Sequence, residues 1–146
     1  MLKNTEDTVK EITKIIGTLA TLLPKIREMI NNFKTHAAVA KRGDFDVVER
    51  TNTLVETLEN MKRLNTAMQT NAMILYRSGV YPPASKLILL LNGQTRHLQR
   101  LIGFVQIYGD SGSFHQIETE LTELGKLYEE TLVFLRKEEE PARAAA

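Results

Sequence analysis

The chain has no cysteine and no tryptophan, and aromatic residues make up only 6% of its 146 positions. Without cysteine there can be no disulfide framework, no thiolate metal site and no cysteine nucleophile. Prolines number four and glycines eight, too few for a collagen or a low-complexity linker. No apolar run is longer than five residues, the length of Leu87–Leu91. A transmembrane helix needs about 20, so no membrane span is expected. The polar start, MLKNTEDTVKEITK, lacks the apolar core of a signal peptide. That predicts a cytoplasmic protein, or one carried into a virion or a secretion machine by a dedicated route. Apolar residues at 42% and charged residues at 25% are ordinary for one globular domain.

Charge is balanced overall at +1 but unevenly spread. Residues 1–42 carry eight Lys/Arg against four Asp/Glu, whereas residues 113–146 carry four against eight. Such a basic head and acidic tail can neutralise each other within a fold or between subunits, or can attract partners of opposite charge.

Helical periodicity dominates what remains. Val9, Ile12, Ile16, Leu19, Leu23, Ile26, Ile30, Phe33, Ala37 and Ala40 recur in steps of three and four, the seam of a long bundle helix. Pro24 falls inside this run, yet the seam keeps its phase on both sides, which predicts one long helix kinked at Pro24 rather than two. Lys41 and Arg42 suit its last turn, Gly43 its end, and Asp44 caps the next helix. Val47, Thr51, Leu54, Leu58, Met61, Asn65, Met68, Ala72 and Leu75 form a second seam. Either Asn65 or its neighbour Leu64 takes the buried place; a seam asparagine would fix register at a cost in stability. Ser78-Gly79 stops this helix, and Val80-Tyr81-Pro82-Pro83 is a stiff connection. A third helix runs from about Ala84 to Tyr108, and a loop at Gly109–Gly112 leads to Ser113, a candidate N-cap. The fourth seam is Phe114, Ile117, Leu121, Leu124, Tyr128, Thr131 (or Leu132) and Leu135. These readings predict an all-α, elongated up-down four-helix bundle spanning 1–140, with a flexible tail over 141–146.

Catalytic chemistry finds little support. His36, His97 and His115 have no metal-ligand spacing and read as surface histidines. Glu120 and Glu123 lie one helical turn apart, as do Glu56 and Glu59; four converging carboxylates would make a magnesium site. Solvated helix faces account for the same residues more simply. Phosphate loops and nucleophile elbows are missing, and Arg96 stands next to His97 rather than four to six residues before it, as in helical ribonucleases. No cofactor is expected. Arg96 and Arg100, one turn apart, are candidate phosphate contacts, but a pI near 8.0 is low for a dedicated nucleic-acid binder.

Leu91-Asn92, Leu98, Leu101 and the ending Ile107-Tyr108-Gly109-Asp110-Ser111-Gly112, with the Arg42-Gly43-Asp44-Phe45 turn ahead of a long helix, resemble the pattern of flagellar hook-junction export chaperones. The resemblance covers less than half of the chain. It implies a small helical protein that masks an apolar helix of a client. The chain departs from that family in carrying a full helix after the Tyr-Gly ending.

The reading favoured by the sequence is a non-catalytic helical assembly or adaptor protein. It would be a homo-oligomer or a subunit of a larger particle, with an export chaperone and a nucleic-acid binder as alternatives. Helix three carries more apolar residues than one seam needs, which makes Leu87, Ile88, Leu90 and Leu91 the candidate protein interface. Gly93 and Gly103 on the same helix would permit close approach.

Overall fold

In a computed structural model the chain forms four α-helices: α1 (Lys3–Val39), α2 (Phe45–Ser78), α3 (Ala84–Tyr108) and α4 (His115–Ala145). The structure describes residues 3–39, 45–108 and 114–145, with side chains over 4–32, 49–107 and 114–138. The proposed caps at Gly43, Asp44 and Ser113, and the seam positions Phe33, Ala37, Ala40 and Val47, fall outside the described side chains. Each helix packs on its two neighbours, α1 on α2, α2 on α3, α3 on α4 and α4 back on α1. Among the described residues the diagonal pairs do not touch. The molecule is a four-helix bundle of square cross-section, and the α2–α3 interface is its most extensive.

The seams become the core. Val9, Ile12, Ile16, Leu19, Leu23, Ile26 and Ile30 of α1 are buried, as are Leu54, Leu58, Met61, Met68, Ala72 and Leu75 of α2. Helix α3 contributes Leu87, Leu91, Leu98, Leu101 and Val105, and α4 Ile117, Leu121, Leu124, Tyr128 and Leu135. A stripe of apolar residues on each helix can leave water only by facing the others, and burying one such side chain is worth about 1.5–3 kcal/mol. Polar residues take seam places too, Gln94 on α3 among them. Asn65 is fully buried while Leu64 points out, and Thr131 is fully buried while Leu132 is only partly so.

Helix α1 is one helix through Pro24, which lies on its exposed side. Helix α4 runs through Pro141 to Ala145, beyond the domain end that the sequence suggests at 140. Alanine and glutamate around that proline are strong helix formers. Threonine, ordinarily a weak helix former, is accommodated by back-bonding to its own helix. Thr8, Thr13, Thr18, Thr53, Thr57, Thr66, Thr70, Thr119 and Thr122 each donate to the carbonyl four residues earlier.

The α2–α3 turn is built as its composition demands. Gly79 adopts φ 70°, and its N–H donates to the Tyr76 carbonyl at 3.2 Å. The Ala84 N–H donates to the Tyr81 carbonyl at 3.0 Å, and the Tyr81 ring is buried beneath the connection.

Helical glycines with room around them weaken the bundle to no packing benefit. Among the described residues, a Cβ added at Gly17 or Gly103 meets nothing within 4 Å. Gly17→Ala and Gly103→Ala are each expected to raise unfolding free energy by about 0.5–1 kcal/mol in urea titration. Pro24→Ala should leave the fold intact and equally or more stable; a loss above about 2 kcal/mol would mean that the bundle requires a bend there.

Candidate functional site: the outer face of the α2–α3 hairpin

A row of amides and hydroxyls runs from the core outward between α2 and α3. Asn65 Nδ2 donates to the Leu91 carbonyl at 2.9 Å and to Thr95 Oγ1 at 2.6 Å. The Thr95 hydroxyl donates in turn to Gln69 Oε1 at 2.9 Å, and Gln69 Nε2 donates to Asn92 Oδ1. Gln69 and Asn92 stand at the surface, where they line an open groove of about 380 Å³. Met73, Ile74 and Ile88 supply its apolar surface, and Arg77 stands at its edge. Thr66 and Thr70, the other lining residues, have given their hydroxyl protons to their own helix. The groove is therefore coupled by a relay of three hydrogen bonds to a fully buried asparagine.

The opposite side of α3 is also polar. Gln94, fully buried, donates to Thr131 Oγ1 at 2.8 Å, and Thr131 donates to the Leu127 carbonyl. His97 Nδ1 lies 2.5 Å from Glu120 Oε2, and Arg100 reaches Glu120 Oε1 at 3.5 Å. Glu120 is buried, so the solvated-face reading of that residue is corrected, and His97 is a partnered interhelical histidine rather than a surface one. The two acid pairs cannot converge: α2, which carries Glu56 and Glu59, and α4, which carries Glu120 and Glu123, occupy opposite corners of the bundle. Among the described residues no three His, Asp or Glu side chains are grouped so as to hold a metal ion.

Of the residues singled out on α3, Leu87, Leu90 and Leu91 are spent on the chain's own core, and Ile88 is half-buried at the groove. Gly93 makes a close approach, but to a side chain rather than a backbone: a Cβ there would lie 3.3 Å from Leu127 Cδ1. Gly103 makes none. Arg96 is exposed, while Arg100 is shared with Glu120. The run Leu87–Leu91 is apolar all round, but only Leu89, 71% exposed, is fully in water.

The exposed apolar surface lies mainly elsewhere. Among the described residues, Leu64, Met73, Ile74, Tyr76, Val80, Leu89 and Ile107 are exposed, and only Val133 joins them from outside the α2–α3 hairpin. Met73, Ile74 and Tyr76 occupy the last turns of α2, Val80 the connection, and Leu89 the second turn of α3, so these five gather at one end of the hairpin. The same stretch has an unusual charge. From Asn60 to Gly109 there is no aspartate or glutamate, against Lys62, Arg63, Arg77, Lys86, Arg96 and Arg100. Arg77 and Arg96 form no ion pair among the described residues.

Fold and site together define a helical bundle that displays a cationic, partly apolar groove on one hairpin. No family model matches the chain, and neither the curated proteins nor the solved structures contain a significant match. Among the described residues no helix is long and apolar enough to cross a membrane.

Two outcomes test the polar layers. Thr131→Val leaves the buried Gln94 amide without its acceptor and should cost about 1–3 kcal/mol, whereas Gln94→Leu combined with Thr131→Val should recover most of that loss. Burial also pushes the Tyr128 hydroxyl well above the ordinary phenol value of 10.0. Below that pH both folded and unfolded chains keep the proton; above it the unfolded chain releases it first, so stability falls as pH rises. Tyr128→Phe should make that alkaline fall shallower, by up to about 1.4 kcal/mol per pH unit.

Proposed function

We propose that this protein is a non-catalytic helical adaptor or assembly subunit that binds another protein through the outer face of its α2–α3 hairpin. The observation that carries this reading is the coincidence of seven exposed large apolar residues with an acid-free, basic stretch on one hairpin. An isolated soluble bundle gains nothing from holding Ile74, Tyr76 and Leu89 in water, and clustered exposed apolar side chains mark interaction surfaces. The groove between α2 and α3 suits a helix laid along it, the common mode of helix-in-groove recognition.

Two forms of this reading differ in assembly state. A subunit of a larger particle gives higher-order species, which about 0.5–1 M salt disperses where the basic head meets the acidic tail. A chaperone that shields a client helix stays a monomer or dimer. Light scattering over a dilution series separates them. A photo-reactive phenylalanine analogue placed at Leu89 should yield discrete protein adducts in the native cell, and none when placed at Thr53 of α2. Equal labelling from both positions would overturn the reading, as would micromolar binding of Zn²⁺, Mg²⁺ or nucleotide in calorimetry.

A further inference from the structure

We infer that the occupant of the α2–α3 groove is an acidic amphipathic helix belonging to a different protein. This inference rests on the adaptor reading above and adds the chemistry of the partner. The groove's apolar surface (Met73, Ile74, Ile88) calls for apolar side chains at helical spacing. Around it the stretch from Asn60 to Gly109 offers only positive charge, with Arg77 lining the groove and Arg96 further along α3 unpaired among the described residues. Opposite charge across an interface steers association and excludes like-charged competitors. A partner helix with leucine-like residues on one stripe and glutamate or aspartate beside it satisfies both demands.

A second copy of this chain fits poorly. Two hairpins meeting face to face would set Arg77 and Arg96 against their own kind, with no acidic residue between Asn60 and Gly109 to relieve them. The acidic surface of α4 is no better. It carries Glu129, Glu130 and Glu138 exposed, but its one exposed large apolar residue among the described positions is Val133. No described surface of the chain pairs acid with enough free apolar area to fill the groove. A lipid bilayer would match the charge, yet it has no use for a concave surface edged by the hydrogen-bonded amides of Gln69 and Asn92. Interfacial helices present instead a convex apolar stripe, commonly with tryptophan, which this chain lacks.

The test uses the full-length protein and a stapled, fluorescently labelled helical peptide with leucine on one heptad stripe and glutamate on its flanks. Its control carries lysine in place of every glutamate. Fluorescence anisotropy should show saturable binding of the glutamate peptide, at least ten-fold tighter than the lysine peptide and weakened by salt. Ile74→Glu, Leu89→Glu and Arg77→Glu should each weaken it at least ten-fold with an unchanged circular dichroism spectrum and melting temperature. Val133→Glu, outside the hairpin, should leave it intact. Equal binding of the two peptides, or binding insensitive to the three hairpin substitutions, overturns the inference. So does self-association that Ile74→Glu abolishes, which would keep the hairpin as a docking face but make its occupant a second copy. Failure of both peptides alongside binding of phosphatidylserine vesicles or single-stranded RNA overturns the inference and the adaptor reading together.

Discussion

The hydrogen bonds of Asn65 hold α2 and α3 in one register. A leucine in its place could slide by a turn along an apolar seam and find an equivalent partner. An amide that donates to both the Leu91 carbonyl and the Thr95 hydroxyl has one satisfied position. It sits in the most extensive interface of the bundle, so α2 and α3 are aligned by it and the remaining helices pack on the pair. The cost is visible in the same side chain: Asn65 Oδ1 is buried with no partner among the described residues. Gln94, one turn from Leu91 on α3, repeats the arrangement toward α4, with Nε2 bonded to Thr131 and Oε1 without a partner among the described residues. Specific register is thus obtained at some expense in stability on two sides of one helix.

That rigidity reaches the surface. Because Thr95 and Gln69 relay the bonding of Asn65 to Asn92, the groove between α2 and α3 has its polar edge fixed before any partner arrives. A pre-organised edge reduces the ordering cost of binding, which lets a modest groove retain a helix. Close packing of Gly93 against Leu127 supports α3 from the opposite side.

Much of this architecture was legible in the residues, and the reasons for the rest are physical. The four seams could be read from periodicity because burial has the same period as the helix. Continuity through Pro24 followed from unbroken phase. Periodicity could not decide between Asn65 and Leu64, or between Thr131 and Leu132, since adjacent positions differ by only about 100° around the helix. Hydrogen bonds to other helices settled both, and those partners lie 26 and 37 residues away. Glu120 reads as a surface acid because its partner His97 is on another helix. Apolar density points to an interface on α3, but it cannot distinguish core leucines such as Leu87 and Leu91 from an exposed one such as Leu89. A different signal lay in the sequence, the fifty acid-free positions from Asn60 to Gly109, and it marks the hairpin without any structure.

The ring of contacts also orders events in time. Three of its four interfaces join helices consecutive in the chain; only α1 with α4 must bring distant segments together. Loop-closure entropy is therefore concentrated in a single step, the meeting of Leu23 with Gly125 and the residues around them. The α2–α3 hairpin, with its short Gly79–Pro83 connection and the largest interface, can form early from local contacts. A chain growing from its N-terminus completes the groove-bearing hairpin while α4 is still to be made.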